Sequence, residues 1–237
     1  MSEEFEKQGE KYLSHIYSNL KNPKNEYPQK LAEHISLNYF NNKKGSLLDA
    51  GCGRGDMLRA FQNLNYNVEG IDLSSESINL CKPIEVKKLN LENQNINLGK
   101  NYEYIFSKSI IEHLEKPLNY LRNCHLFLQE KGKLVIMTPS WHHFYWGPFY
   151  LDFTHKTPFT IMSLRNALEL SGFKNVKVEY FYQLPIQWKY SKVKILSTLI
   201  RKLPIPYSPM HDVSWPDNLN KFIRFSNEVM LLASCEK

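Results

Sequence analysis

The chain's 237 residues suit one α/β domain with additions, and a 42% apolar fraction supplies a sizeable core. No run approaches the roughly 18 consecutive apolar residues of a membrane-crossing helix, and four scattered cysteines with no C-x-x-C pair argue against a disulfide framework or structural zinc. A formal charge of +6 admits an anionic substrate, phosphorylated or nucleotide-linked, without implying nucleic acid.

The start, Met1-Ser2-Glu3-Glu4-Phe5-Glu6, is acidic and lacks a signal peptide's basic and apolar regions, so a cytoplasmic location is expected. Residues 3–40 read as two helical segments. Tyr12, Ile16 and Leu20 recur at helical spacing in the first and Leu31, His34 and Ile35 in the second, with Pro23 and Pro28 between them. From Gly45 short apolar runs alternate with amphipathic segments. Leu47-Leu48 predicts a strand running into glycines; Met57, Leu58, Phe61 and Leu64 mark one helix face; Val68–Leu73 predicts a second strand, followed by a helix from Ser74 or Ser75. Three more strands are expected at Ile84–Leu91, Tyr102–Phe106 and Lys133–Met137. Between the last two, Leu118, Leu121, His125 and Leu128 fall at helical spacing and Gly132 supplies a stop. Thr160 is placed to cap a helix bearing Ile161, Leu164 and Leu168, closed by Ser171-Gly172. Val176–Phe181 alternates like a strand, and Glu228–Cys235 is a final apolar strand.

Strands alternating with helices predict a parallel-rich, doubly wound sheet. We expect a single domain: an N-terminal helical cap at 1–44, a ligand-binding core at 45–183, an insertion at 184–225 and the last strand at 226–237.

The run Leu47-Leu48-Asp49-Ala50-Gly51-Cys52-Gly53-Arg54-Gly55-Asp56 carries most of the functional information. Alternate glycines between a strand and a helix let the backbone turn sharply and approach a ligand closely. The helix start beyond offers unpaired N–H groups to a carboxylate or phosphate. Val68-Glu69-Gly70-Ile71-Asp72 then places an acid about 20 residues on, where it can accept both hydroxyls of a ribose. A nicotinamide-dinucleotide enzyme is the second reading. Such enzymes prefer G-x-G-x-x-G, and Asp56 stands here where Gly or Ala would pack the helix against a pyrophosphate.

These segments resemble the class I S-adenosylmethionine (SAM)-dependent methyltransferases, especially the branch of small-molecule and ubiquinone-biosynthesis enzymes. Leu48–Gly55 is similar to the family's first motif and Gly70-Ile71-Asp72-Leu73-Ser74 to its second. Tyr102–Ser107 with Ile111-Glu112-His113-Leu114 and Pro117 resembles its fourth-strand segment, and Leu126–Leu128 with Gly132–Ile136 the helix and strand that follow. His155, Pro158-Phe159-Thr160, Leu164 and Gly172-Phe173 match a later pattern. The resemblance implies a Rossmann-like seven-stranded sheet whose last strand, supplied by Glu228–Cys235, is antiparallel. It also implies SAM as cofactor. Asp49 and the backbone of Gly51, Cys52 and Gly53 would hold the methionine portion, Asp72 the ribose, Leu73 and Leu91 the adenine faces, and Ser107 the space beside the methyl group. Asn90 stands where the family often has Asp; its amide oxygen can accept the same hydrogen bond from the adenine amine.

Methyl transfer to a hydroxyl needs positioning and a base. The catalytic candidates are His155, His113 and Glu112, with Asp152 placed to orient His155, although Glu112-His113 could equally open the next helix and His155 could cap a loop. His142 and His143 lie among Trp141, Tyr145 and other aromatics, which reads as a substrate wall or lid rather than a metal site. No metal is expected, because the position three before the Glu-His pair, an extra acid in some ubiquinone-pathway relatives, is Ser109. DNA base methylation is disfavoured: Ser107-Lys108-Ser109-Ile110 lacks the Asp/Asn-Pro-Pro-aromatic run, and no Pro-Cys nucleophile is nearby.

The stretch Trp188–Lys202, within an inserted segment 188–206, predicts one basic amphipathic helix. It could cover the active site, touch a membrane surface or contact a partner. The expected function is O-methylation of a small molecule or sugar in cell-surface polysaccharide or secondary-metabolite assembly. The alternatives are a quinone-precursor methyltransferase at the membrane and a non-catalytic SAM-binding regulator.

Overall fold

The computed structural model describes residues 26–94, 96–145, 148–190, 192–207 and 217–237; the first expected helix lies outside the described residues. The elements are α1 (Tyr27–Asn38), β1 (Ser46–Ala50), α2 (Asp56–Asn63), β2 (Asn67–Asp72), α3 (Ser75–Cys81), β3 (Val86–Lys88), β4 (Tyr102–Lys108), α4 (Pro117–Phe127), β5 (Leu128–Pro139), α5 (Trp141–Phe144), α6 (Ile161–Leu170), β6 (Lys174–Phe181), α7 (Pro185–Lys189), α8 (Lys192–Arg201), α9 (Asp217–Asn227) and β7 (Met230–Glu236). Short 3-10 turns at Ile111–His113 and Pro148–Leu151 follow β4 and α5.

The strands form one seven-stranded sheet in the order β3-β2-β1-β4-β5-β7-β6. β1 to β5 are mutually parallel, and β7 runs antiparallel to both β5 and β6. This is the expected Rossmann-like arrangement. Its physical basis is a two-sided core, which the period-2 alternation of strand residues sorts into two faces. Leu48, Ile105, Leu134 and Ile136 pack on one face with Tyr120 and Leu121 of α4. Leu47, Phe106, Val135 and Met137 pack on the other with Leu31 and Ile35 of α1 and Phe61 of α2. Each such Leu or Phe contributes about 1.5–3 kcal/mol by leaving water.

Local signals place the helices. Ser74 Oγ accepts the Glu76 N–H at 3.2 Å and starts α3, Pro117 opens α4, and Thr160 and Ser163 form a reciprocal capping box on α6.

Three expectations change. The third strand is short, three residues rather than Ile84–Leu91, because Asn90 Oδ1 accepts the Glu92 N–H at 2.9 Å and turns the chain. Gly132 is not a helix stop: α4 ends at Phe127 and runs directly into β5, which contains Gly132. The inserted helix is divided into α7 and α8. Trp188 of α7 faces inward, donating its indole N–H to Tyr182 O at 2.8 Å and stacking within 4.8 Å of His34 on α1.

Candidate active site

The main cleft, about 470 Å³, lies beyond the carboxyl ends of β1, β2 and β4, where open α/β sheets bind ligands. After β1 the chain takes left-handed backbone at Gly51, Gly53 and Gly55, with φ of +84°, +50° and +76°. A Cβ at Gly51 would also stand 2.4 Å from Ile110 Cδ1, so glycine is demanded by both the dihedral and the close packing. The turn is tied to the neighbouring strand: Gly51 and Cys52 N–H both donate to Ile71 O, at 2.8 and 3.1 Å.

Asp72, at the end of β2, is held by backbone. Gly53 N–H donates to one carboxylate oxygen at 2.8 Å and Ser74 N–H to the other at 2.9 Å. Each oxygen retains a second acceptor position, so a diol remains acceptable. Asp49 lines the same cleft at 2% exposure. Burial, then the nearby Cys81, Asp72 and Asp56, hold its carboxyl well above the usual range. A ligand cation would offset that cost, which suits the ammonium end of an amino acid. Leu73, Asn90 and Leu91 line the far end of the cleft with Leu89. The donor set therefore fits SAM: an acid for the ammonium, an anchored acid for the ribose, leucines for the base. Tyr27 and Pro28 of α1 also line the cleft, a contribution of the N-terminal cap that the sequence reading did not assign to a site.

Ser107 departs from its expected place. It is fully buried, donating its hydroxyl to Ala50 O at 2.9 Å and accepting from Tyr120 at 2.6 Å, so it braces β4 against β1 instead of facing the cleft. Lys108, the next residue, does line it. Burial lowers its ammonium below the usual range, opposed by Glu112 and reinforced by Arg224.

Of the three catalytic candidates, His113 is the one that lines the cleft, beside Thr154. Thr154 Oγ1 donates to Asp152 Oδ1 at 2.5 Å, so it must accept from His113 Nδ1, 2.8 Å away. This places the imidazole proton on Nδ1 and the lone pair on Nε2. Burial, then the neighbouring His155, lowers the His113 pKa to about 4, leaving the ring neutral at pH 7. Glu112 is fully buried behind it. Its Oε2 accepts from Thr138 Oγ1 at 2.9 Å, and its carbonyl accepts the N–H groups of Lys156 and Thr157 at 2.7 and 2.9 Å. Burial raises its carboxyl to about 7. His155 donates Nδ1–H to Phe149 O at 2.6 Å and meets the His113 ring edge-on at 4.6 Å. Both therefore support His113 rather than face the cleft. One potential ligand atom from each of Glu112, His113 and His155 falls within 4.8 Å of the others. The bonds to Thr138 and to the Phe149 carbonyl engage Glu112 Oε2 and His155 Nδ1, so Glu112 Oε1, which has no hydrogen-bond partner among the described residues, and His155 Nε2 remain as ligand atoms.

The aromatic loop divides. Trp141 packs edge-on against Phe149 at 5.5 Å, while His142, His143 and Tyr145 line a second cavity of about 580 Å³ with Arg201 and the stretch to Tyr207. Trp146 lies outside the described residues. Arg201 had no assigned role in the sequence, where it reads as one charge on a solvated helix face. Thr154 was visible only as the residue between Asp152 and His155.

A doubly wound sheet in this order, with a glycine turn after its first strand and an anchored acid ending its second, defines a nucleoside-binding α/β protein. Comparison with known proteins narrows the class. A family model described as a methyltransferase domain matches residues 12–178. The ubiquinone biosynthesis O-methyltransferase of Actinobacillus pleuropneumoniae is 26% identical over 128 residues, covering 47% of this chain and 55% of that protein. The mitochondrial enzyme of the same name from Saccharomyces cerevisiae is 30% identical over 120 residues, 46% of this chain and 38% of that one. The chain thus spans about half the length, or less, of these curated relatives. A SAM-dependent methyltransferase from Archaeoglobus fulgidus shares the fold with a TM-score of 0.58, at 21% identity over 89% of this chain and 94% of its own. The chain belongs to the methyltransferase domain family, as its motifs led us to expect.

Proposed function

We propose that the protein transfers the methyl group of SAM to a hydroxyl of a small molecule or sugar, with His113 as the base. The observation that carries this reading is the Asp152–Thr154–His113 relay at the rim of the cleft that also holds Asp49 and Asp72. SAM, when bound, supplies an electrophilic methyl on a sulfonium. Asp49 takes the ammonium, Asp72 the ribose hydroxyls, and Leu73 and Leu91 enclose the base. His113 Nε2 accepts the proton of the acceptor hydroxyl, and the Asp152 carboxylate, acting through Thr154, stabilises the charge that the ring acquires. A donor fixed on Nδ1 keeps the ring in the tautomer that can do this.

Two other readings have support. A lipid-soluble quinone precursor is suggested by the printed names of the relatives and by the exposed Ile195, Leu196 and Leu199 beside Lys192, Lys194 and Lys202 on and after α8. A SAM-binding regulator would keep the same cleft without turnover. Among the described residues no helix is long and apolar enough to cross a membrane.

The test is transfer of labelled methyl from SAM to sugar and phenolic acceptors, with and without anionic vesicles. His113→Gln should lower kcat about 10²- to 10⁴-fold with SAM affinity unchanged. Full activity in that variant would discard His113 as base, strict dependence on vesicles would favour the quinone reading, and tight SAM binding with no transfer to any acceptor would favour the regulator.

A further inference from the structure

The second cavity has its own chemistry. One wall is α5, with His142, His143 and Tyr145; the other is the chain leaving α8, with Arg201 followed by Leu203-Pro204-Ile205-Pro206. Arg201 is the one formally charged residue among the described residues lining it. Burial, then Arg201 and His142, lowers the His143 pKa to about 4, so that ring adds no charge at pH 7. Arg54, Arg59 and Arg224 each meet a carboxylate at 3.0, 3.3 and 2.7 Å. Arg201 is partly buried, yet among the described residues it has neither an ion-pair nor a side-chain hydrogen-bond partner. The nearest acid in sequence to the cavity's Asn227, Glu228, is already taken by Arg224.

A guanidinium drawn part-way out of water without a partner is disfavoured, and its planar fork matches a carboxylate or phosphate. The prolines stiffen the opposite wall, and with Leu203 and Ile205 they offer apolar surface to an organic body. The helix that builds this cavity also props the base in the main cleft. Trp141 at its start touches Phe149, Phe149 touches His155, and His155 touches His113, with ring centroids 5.5, 4.7 and 4.6 Å apart.

We propose that this cavity binds the oxyanion, carboxylate or phosphate ester, of a small molecule with an apolar or sugar body, with Arg201 as its anchor.

The experiment titrates the S-adenosylhomocysteine-loaded protein with two charged and uncharged pairs, phenyl phosphate against phenol and glucose 1-phosphate against glucose, and with benzoate. Binding is followed by calorimetry. At least one oxyanion probe should bind tenfold or more tightly than its uncharged counterpart. Arg201→Gln should lose that preference, and Arg201→Lys should keep part of it. Unchanged S-adenosylhomocysteine affinity in both variants reports that they are folded. Benzoate against phenyl phosphate separates a carboxylate ligand from a phosphate one. Equal binding of charged and uncharged probes, no binding of any probe, or an unaltered preference in Arg201→Gln overturns the proposal. Failure of the unsubstituted protein to bind S-adenosylhomocysteine would instead overturn the methyltransferase reading.

Discussion

Around the main cleft the ligand-facing groups are carried by the ends of β1 and β2 and by the backbone between them, whereas the cavity beside α5 is assembled from side chains at 142–145, 201–207 and 227. In the first, Asp72 is pinned by two N–H groups, and the glycine turn is tied to Ile71 by two more hydrogen bonds. In the second, Tyr145 and Leu203 are more than half exposed, and Arg201 has no charged partner among the described residues. Backbone anchored in a sheet holds one geometry and suits a ligand that does not vary. A wall of side chains on short helices has no such backbone anchor, and its geometry rests on side-chain packing.

The contrast is most sharply broken by Gly51→Val. A Cβ there meets Ile110 Cδ1, and a branched residue at φ +84° is strained. We expect cofactor affinity to fall at least about 100-fold, roughly 2.7 kcal/mol, while probe binding at Arg201 is unchanged. Equal loss at both sites would show that the two cavities are not independently built. Thr154→Val should have a smaller effect. It removes the acceptor for His113 Nδ1–H but keeps the shape, and a roughly tenfold fall in kcat with unaltered SAM affinity is expected. An unchanged rate would remove the relay from the mechanism.

A third effect is on stability. The Glu112 carboxyl is raised to about 7 in the folded chain by burial, against 4.5 for the unperturbed group. The folded state therefore holds the proton more tightly, and this contribution is complete below pH 4.5 and is lost as pH rises through about 7. Glu112→Gln should flatten that part of the pH profile and stabilise the protein at pH 8 by about 1–3 kcal/mol, with little difference at pH 4. Urea unfolding at the two pH values measures it. A variant less stable at pH 8 would mean that the charged form is held by its own backbone N–H and Thr138, and after them Lys108.

The strands and helices of the core were legible because each signal is local. Short apolar runs marked β1, β2, β4 and β7, alternation marked β6, and Ser74 and Thr160 marked the helix starts they cap. The third strand was cut short by a local turn at Asn90, but at Gly132 and Ser107 a contact distant in sequence had intervened. Gly132 sits in β5 because that strand pairs with β4 from Tyr102 onward, and Ser107 turns inward because Ala50 and Tyr120 engage its hydroxyl.

By itself the sequence determined the glycine turn, the acid that ends β2 and the succession of strands and helices along the chain, because left-handed backbone, side-chain periodicity and caps are properties of a few adjacent residues. The tertiary structure alone decided that His113, not Glu112 or His155, reaches the cleft, and that Arg201 meets His142 and His143 across a cavity. Those outcomes depend on which side chains 41 to 59 residues apart come into contact, and no local pattern encodes that choice.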